Sequence, residues 1–290
     1  MVKNQFTLFD TEPLSGDINA LDGLFQASNR YCNSQAYYEL LQFIAKFSRY
    51  SPYNCFLLHM QNPNVTHVAT PNQWHKRFKR RVKPDAKPMI ILAPMGPVLF
   101  VYDLVDTDGP KLPAHWDKPF RTKGELSPSV WKNTVSNCKR DHILLAEKES
   151  SFLHAGAAIR LRPNSMIKVD RKIFPAKCEI QINKYLSITS KYSILVHELA
   201  HIHCGHLGND KDEWWPERLH LTKQQRELEA ESVVYLVCQR QGIQTRSAEY
   251  LAGYTKDKNA LPLISLHLVL KIATYIESMG KCLLPKRKMK

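Results

Sequence analysis

The sequence predicts an α+β protein of two domains, and three observations carry that reading. Apolar, β-branched runs precede long stretches of helical period in the chain, the order expected when sheets and helices segregate. A turn-rich segment, "DTDGPKLP" at 106–113, separates two halves of different character. The second half holds a helix-period stretch, "KYSILVHELAHIHC", that carries His197-Glu198-Leu199-Ala200-His201.

The elements follow in order. Residues 1–19 are mixed and polar and read as a tail. "AYYELLQFIAKFSR" places Tyr37, Leu40, Leu41, Ile44 and Phe47 at helical spacing. "SPYNCFLLHMQNP" is a second helix, started by Ser51-Pro52 and stopped by Asn62-Pro63. "VTHVAT" is a short strand, and "PNQWHKRFKR" begins a helix. "PMIILAP" and "PVLFVYDLVDT" read as core strands. Residues 20–112 form the first expected domain, residues 113–285 the second. There, a helix near "SPSVWKNTVSNCK" leads into short strands at "HILLAEK", "HAGAAIRL", "MIKVD" and "CEIQINKYL", and then into helices at 188–207, 221–241 and 260–279.

Composition narrows the function classes. The chain of 290 residues carries a formal net charge of +14, concentrated in the middle third and in a dense run at 76–83. Such an excess suits a polyanionic partner or a solvated basic surface. No apolar run reaches the roughly 18 residues a membrane helix needs, and the first residues lack the apolar core of a secretory signal. Seven cysteines, an odd number without a CxxC pair, fit a reduced, cytoplasmic protein.

HExxH carries the most specific chemistry. Residues four apart share a helix face, so His197 and His201 can reach one ion, while Glu198 faces its open side as general base toward a water that the ion acidifies. A third protein ligand is needed. "RELEAESVVYLV" offers Glu227, Glu229 and Glu231. Glu227 and Glu231 share a face, so Glu227 is assigned as the third ligand, and Glu231 as the carboxylate that orients a ligand histidine through its other nitrogen. Glu229, about 200° round from Glu227, is expected to face solvent. His203, Cys204 and His206 remain alternative ligands or helix-end residues, and Trp214-Trp215 read as core anchors. The donor set favours zinc, with Mn, Co or Ni able to take its place.

This arrangement resembles the gluzincin metallopeptidases, and within them the group of ImmA and IrrE peptidases and the ArdC-like antirestriction proteins. The resemblance implies that "CEIQINKYL" edges the cleft and pairs with an extended peptide.

In the first half, Lys76, Arg77, Lys79, Arg80, Arg81 and Lys83 lie close in sequence to Tyr50, Tyr53, Trp74 and Phe78. Cationic side chains pair with phosphates while aromatic faces stack on unpaired bases. The pattern Tyr50-Ser51, Asn54, Leu57-Leu58, Gln61-Asn62-Pro63, Trp74, Arg80, Val82-Lys83, "IILAP" and "VYDLVDTDG" is similar to the N-terminal single-strand-DNA-binding domain of ArdC-like proteins. The resemblance implies that Tyr50, Asn54 and Trp74 join the basic run in contacting DNA. The family tends to carry glycine where this chain has Lys79 and Asp85. Three functions are therefore expected. The first is a single-strand-DNA-binding zinc metalloprotein of antirestriction type, whose peptidase site acts on a DNA-associated protein or restriction-system component. The second is a DNA-shielding protein with a structural metal. The third is an ImmA-like regulatory peptidase that cleaves a repressor.

Overall fold

A computed structural model describes residues 34–47, 49–93, 98–112, 125–148, 156–162, 165–169, 172–209, 212–256 and 262–288. The expected N-terminal tail lies outside them. The architecture is a mixed α+β one: eight described helices and several small sheets. No helix is long and apolar enough to cross a membrane among the described residues. The chain divides into two compact units. The division falls inside the first described helix, α1 (Ser34–Lys46), between Leu41 and Gln42, so residues 34–41 belong to the second unit rather than to the first.

The first unit contains α2 (Pro52–Gln61), β1 (Val68–Ala69), α3 (Pro71–Phe78), β2 (Arg81–Val82), β3 (Met89–Leu92), β4 (Val98–Asp103) and β5 (Thr107–Asp108). Ser51 caps α2 by accepting from the Asn54 N–H, and Pro52 fills its first position, where a missing N–H is harmless. Thr70 and Gln73 form a reciprocal capping box on α3. The sheet runs β1-β4-β3, and β2 pairs with β5. β3 alternates, with Met89 and Ile91 buried and Ile90 and Leu92 exposed, whereas β4 is exposed at Val98, Leu99 and Phe100 and buried only from Val101 on. Their burial is thus partial, less than the core strands that their apolar runs suggest.

The second unit contains α4 (Pro128–Arg140), β6 (Ile143–Lys148), β7 (Gly156–Arg160), β8 (Met166–Val169), β9 (Lys172–Pro175), β10 (Cys178–Asn183), α5 (Ile188–His203), α6 (Lys223–Arg240), α7 (Ser247–Lys256) and α8 (Leu266–Lys281). Its sheet runs β6-β10-β7, with β10 parallel to β6 and antiparallel to β7. β8 and β9 form a separate hairpin. β10 is thus the central strand, which corrects its expected place at the cleft edge: both of its hydrogen-bonding sides are taken. The edge position next to α5 belongs to β7. α5 packs on α6, β7 and β10, and Leu195, Leu199 and Ile202 of α5 and Leu228, Val233 and Leu236 of α6 are fully buried.

Candidate metal centre

α5 starts at Ser187, whose hydroxyl accepts from the Ser190 N–H. Its apolar stripe fixes the rotation of the helix, and that rotation carries His197 and His201 to one face. α6 starts at Thr222 with a capping box closed by Gln225. Burial of Leu228, Val233 and Leu236 turns Glu227 and Glu231 toward the same face of α5.

The reactive atoms converge. His197 Nε2 and His201 Nε2 lie 3.1 Å apart. Glu227 Oε2 is 3.5 Å from the first and 3.7 Å from the second. A tetrahedral ion with bonds of about 2.0–2.2 Å separates its ligands by about 3.3–3.6 Å, so these three atoms have the spacing of one coordination face. Charge points the same way. Three carboxylates, Glu198, Glu227 and Glu231, act on His197. Burial lowers its pKa, but the hydrogen bonds to Glu227 and Glu231 outweigh burial and raise it to about 10. In turn, the two imidazoles, His197 first and then His201, hold Glu227 well below the usual carboxylate range. Such a cluster demands a cation at its centre, a proton or a metal.

Glu198 is buried beside this face. Burial pushes its carboxyl up, against the opposing pull of His197 and His201 and of the Ala158 backbone N–H. The close approach of β7 that brings Ala158 there depends on Gly156, where a Cβ would stand 2.3 Å from Ile194 Cγ2. Glu231 Oε1 sits 3.2 Å from His197 Nδ1, and its other interactions include the Ser247 side chain.

Sequence reasoning missed one cluster. Glu229 does not face solvent: it is fully buried, with Oε2 2.9 Å from His206 Nε2 and 2.6 Å from Arg218 Nη1. The reason is that α6 is enclosed on more than one side, by α5 and α8. A buried carboxylate requires a charged partner, and Arg218, in the loop before α6, is that signal. Cys204, His206 and Glu229 also place their donor atoms within 4.8 Å of one another. There, however, the Arg218 guanidinium already balances the carboxylate. His203 is buried against Tyr275 and Trp215, and Cys204 is buried too. Trp215 anchors its loop by donating to the Gly208 carbonyl.

The residues expected to contact DNA divide into two groups. Trp74 is 1% exposed and its indole N–H donates to the Tyr102 carbonyl. That corrects its expected role, because a buried ring offers no face to a base. Tyr50 donates to the Val68 carbonyl. The Asn54 amide pairs with both the N–H and the carbonyl of Leu92, and Gln61 does the same at Ile90, so the two side chains cover the outer edge of β3. Arg80 spends its guanidinium on Thr107, Gly109 and Pro110. Lys83 donates to the Val105 carbonyl. Lys76, Arg77, Lys79 and Arg81 are exposed.

No family model and no curated protein matches the chain. A solved structure, the metal-free crystal structure of the antirestriction protein ArdC from plasmid R388, aligns with 80% of this chain and 82% of its own at 17% identity. The TM-score is 0.35, an agreement too low to assign the fold.

Proposed function

We propose that the second unit is a metallopeptidase-like hydrolytic centre and that the first unit binds single-stranded DNA, the two serving an antirestriction role. The observation that carries the reading is the triangle of His197 Nε2, His201 Nε2 and Glu227 Oε2, with sides of 3.1, 3.5 and 3.7 Å, beside a buried Glu198. His197, His201 and Glu227 would hold the ion, with zinc favoured by the donors and Mn, Co or Ni able to replace it. When bound, the ion polarises a carbonyl and makes a water more acidic. Glu198 takes a proton from the attacking water at its carboxylate and passes it to the leaving nitrogen. Glu231 holds His197 in orientation through Nδ1. β7 is the strand along which an extended peptide would lie, because its side away from β10 has no partner strand among the described residues.

In the first unit, Lys76, Arg77, Lys79 and Arg81 supply the exposed charge for phosphates. The resemblance of both halves to ArdC-like proteins supports the antirestriction setting and a protein substrate associated with DNA. Elemental analysis tests the centre: about one ion per chain is expected in wild type and Glu198→Gln, and little in His201→Ala. A folded His201→Ala that retains the wild-type content sinks the assignment. Protection of single-stranded DNA by Glu198→Gln then separates functions: full protection removes hydrolysis from the activity. Failure of wild type to bind single-stranded DNA at low salt leaves the regulatory peptidase.

A further inference from the structure

α5 ends in a way that places a fourth histidine behind the centre. The Gly205 N–H donates to the Ile202 carbonyl at 3.0 Å, and the His206 N–H to the His201 carbonyl at 2.9 Å. This pair of bonds is the Schellman ending, which needs a left-handed residue between them. Gly205 has φ +80°, and a Cβ there would stand 2.1 Å from the Pro216 carbonyl oxygen. The Schellman turn brings the residue after the glycine back beside the third residue before the cap. Here those residues are His206 and His201, so the spacing HExxHxxxGH stacks one imidazole behind another.

From this ending we infer that His206, Glu229 and Arg218 form a positioning relay that fixes the tautomer of His201, so that its Nε2 lone pair faces the centre. The inference rests on the metal-site reading above and extends it to three residues that make no contact with the ion. The argument is a count of donors. Glu229 Oε2 accepts from Arg218 Nη1 at 2.6 Å and from His206 Nε2 at 2.9 Å. Its Oε1 accepts from Arg218 Nη2 at 2.6 Å and from the Ser265 N–H at 2.8 Å. All four lone-pair positions of an ionised carboxylate are thereby filled, and His206 Nε2 must be a donor. Arg218 already balances the charge of Glu229. A second positive charge on a buried ring would lack a counter-ion, so His206 is neutral and carries its one proton on Nε2. His206 Nδ1 is then an acceptor. It lies 2.9 Å from His201 Nδ1, which must therefore donate. As a neutral ligand ring, His201 then carries its one proton on Nδ1 and presents an unprotonated Nε2, 3.1 Å from His197 Nε2. The other ligand histidine is held differently, by direct contact of its Nδ1 with Glu231.

Two measurements on the full-length chain test the relay. Long-range nitrogen–proton NMR of histidine-labelled, chelator-treated wild type should show the proton of His201 on Nδ1. Competition with a chromophoric chelator should show zinc affinity about 10- to 100-fold weaker in His206→Leu. His206→Gln should stay close to wild type, because its amide oxygen accepts from His201 while its NH₂ donates to Glu229. A proton on His201 Nε2 in wild type overturns the relay, as does a folded His206→Leu that binds zinc with wild-type affinity. If His206→Leu does not fold, the wild-type NMR decides alone. If folded wild type takes up no zinc, cobalt or manganese, the metal-site reading fails, and the tautomer still decides the relay.

Discussion

Both units contain an arginine that the fold uses heavily, and the two differ in what receives the charge. Arg218 pairs in two places with a carboxylate that water does not reach, side-chain exposure 14% against 0%. Arg80 serves the hydroxyl and carbonyl of the part-buried Thr107 and the exposed carbonyls of Gly109 and Pro110, none of them charged. Removing a partner from a buried ion leaves an uncompensated charge, whereas water can replace a donor at an exposed carbonyl. A polar residue in the core is therefore informative about its neighbours, and one at the surface is not. That difference makes the Arg218–Glu229 pair costly to break and the Arg80 contacts less so.

The contrast predicts its own largest effect. Arg218→Met should destabilise the second unit by about 3–5 kcal/mol in urea unfolding. Arg80→Met should cost only about 1 kcal/mol. Equal losses would break the comparison.

A second buried group adds a pH dependence. His203 lies against Tyr275 and Trp215, with Nε2 3.7 Å from Asp141 Oδ2. Burial lowers its pKa from 6.5 to about 4, more than Asp141 raises it. The folded ring resists protonation that the unfolded chain accepts. The stability it contributes is full above pH 6.5 and is lost as pH falls toward 4. His203→Phe should remove that dependence, so the stability gap between variant and wild type should shift by up to about 3 kcal/mol across that window. A constant gap from pH 7 to pH 4 counts against it.

At the surface, Lys76, Arg77 and Arg81 are exposed, and their loss should leave folding intact. The triple alanine variant should flatten the salt dependence of single-strand binding by about 2 in log–log slope, at about 0.7 per lost phosphate contact. An unchanged slope would detach DNA binding from this run. Trp74→Ala should behave in the opposite way: it unfolds the first unit and leaves no variant whose slope can be read.

Much of the centre was legible because helix period is a local property. His197, His201, Glu227 and Glu231 converge from two helices whose apolar stripes set their rotation. Glu229 and His206 were not legible on the same grounds. The side Glu229 faces is closed by α8, a distant segment, and by Arg218, which approaches from a loop. His206 requires recognising that Gly205 reverses the helix and returns the chain to its own last turn. In the first unit, Trp74 sits among basic residues in sequence, and the resemblance joins Tyr50 and Asn54 to them, yet their polar atoms bond backbone that comes together only in three dimensions. Sequence proximity to charge said nothing about burial.

The smallest effect concerns Lys79, where family resemblance and backbone meet. It ends α3 at φ 55° and ψ 30°, the left-handed region. Its N–H donates to the His75 carbonyl, and the Arg80 N–H donates to the Trp74 carbonyl, so the turn cannot relax without losing the helix end. A side chain in that region costs about 1–2 kcal/mol relative to ordinary backbone, and glycine has no Cβ to clash. Glycine also has more unfolded-state freedom to lose, which offsets part of the gain. Lys79→Gly should therefore stabilise the first unit by about 0.5–1 kcal/mol while removing one exposed charge. Urea unfolding reads the first quantity, and the salt slope of DNA binding reads the second. A destabilised Lys79→Gly would mean that the lysine side chain contributes more to the fold than its exposure suggests, and would move it from the group that contacts phosphate to the group that holds the turn.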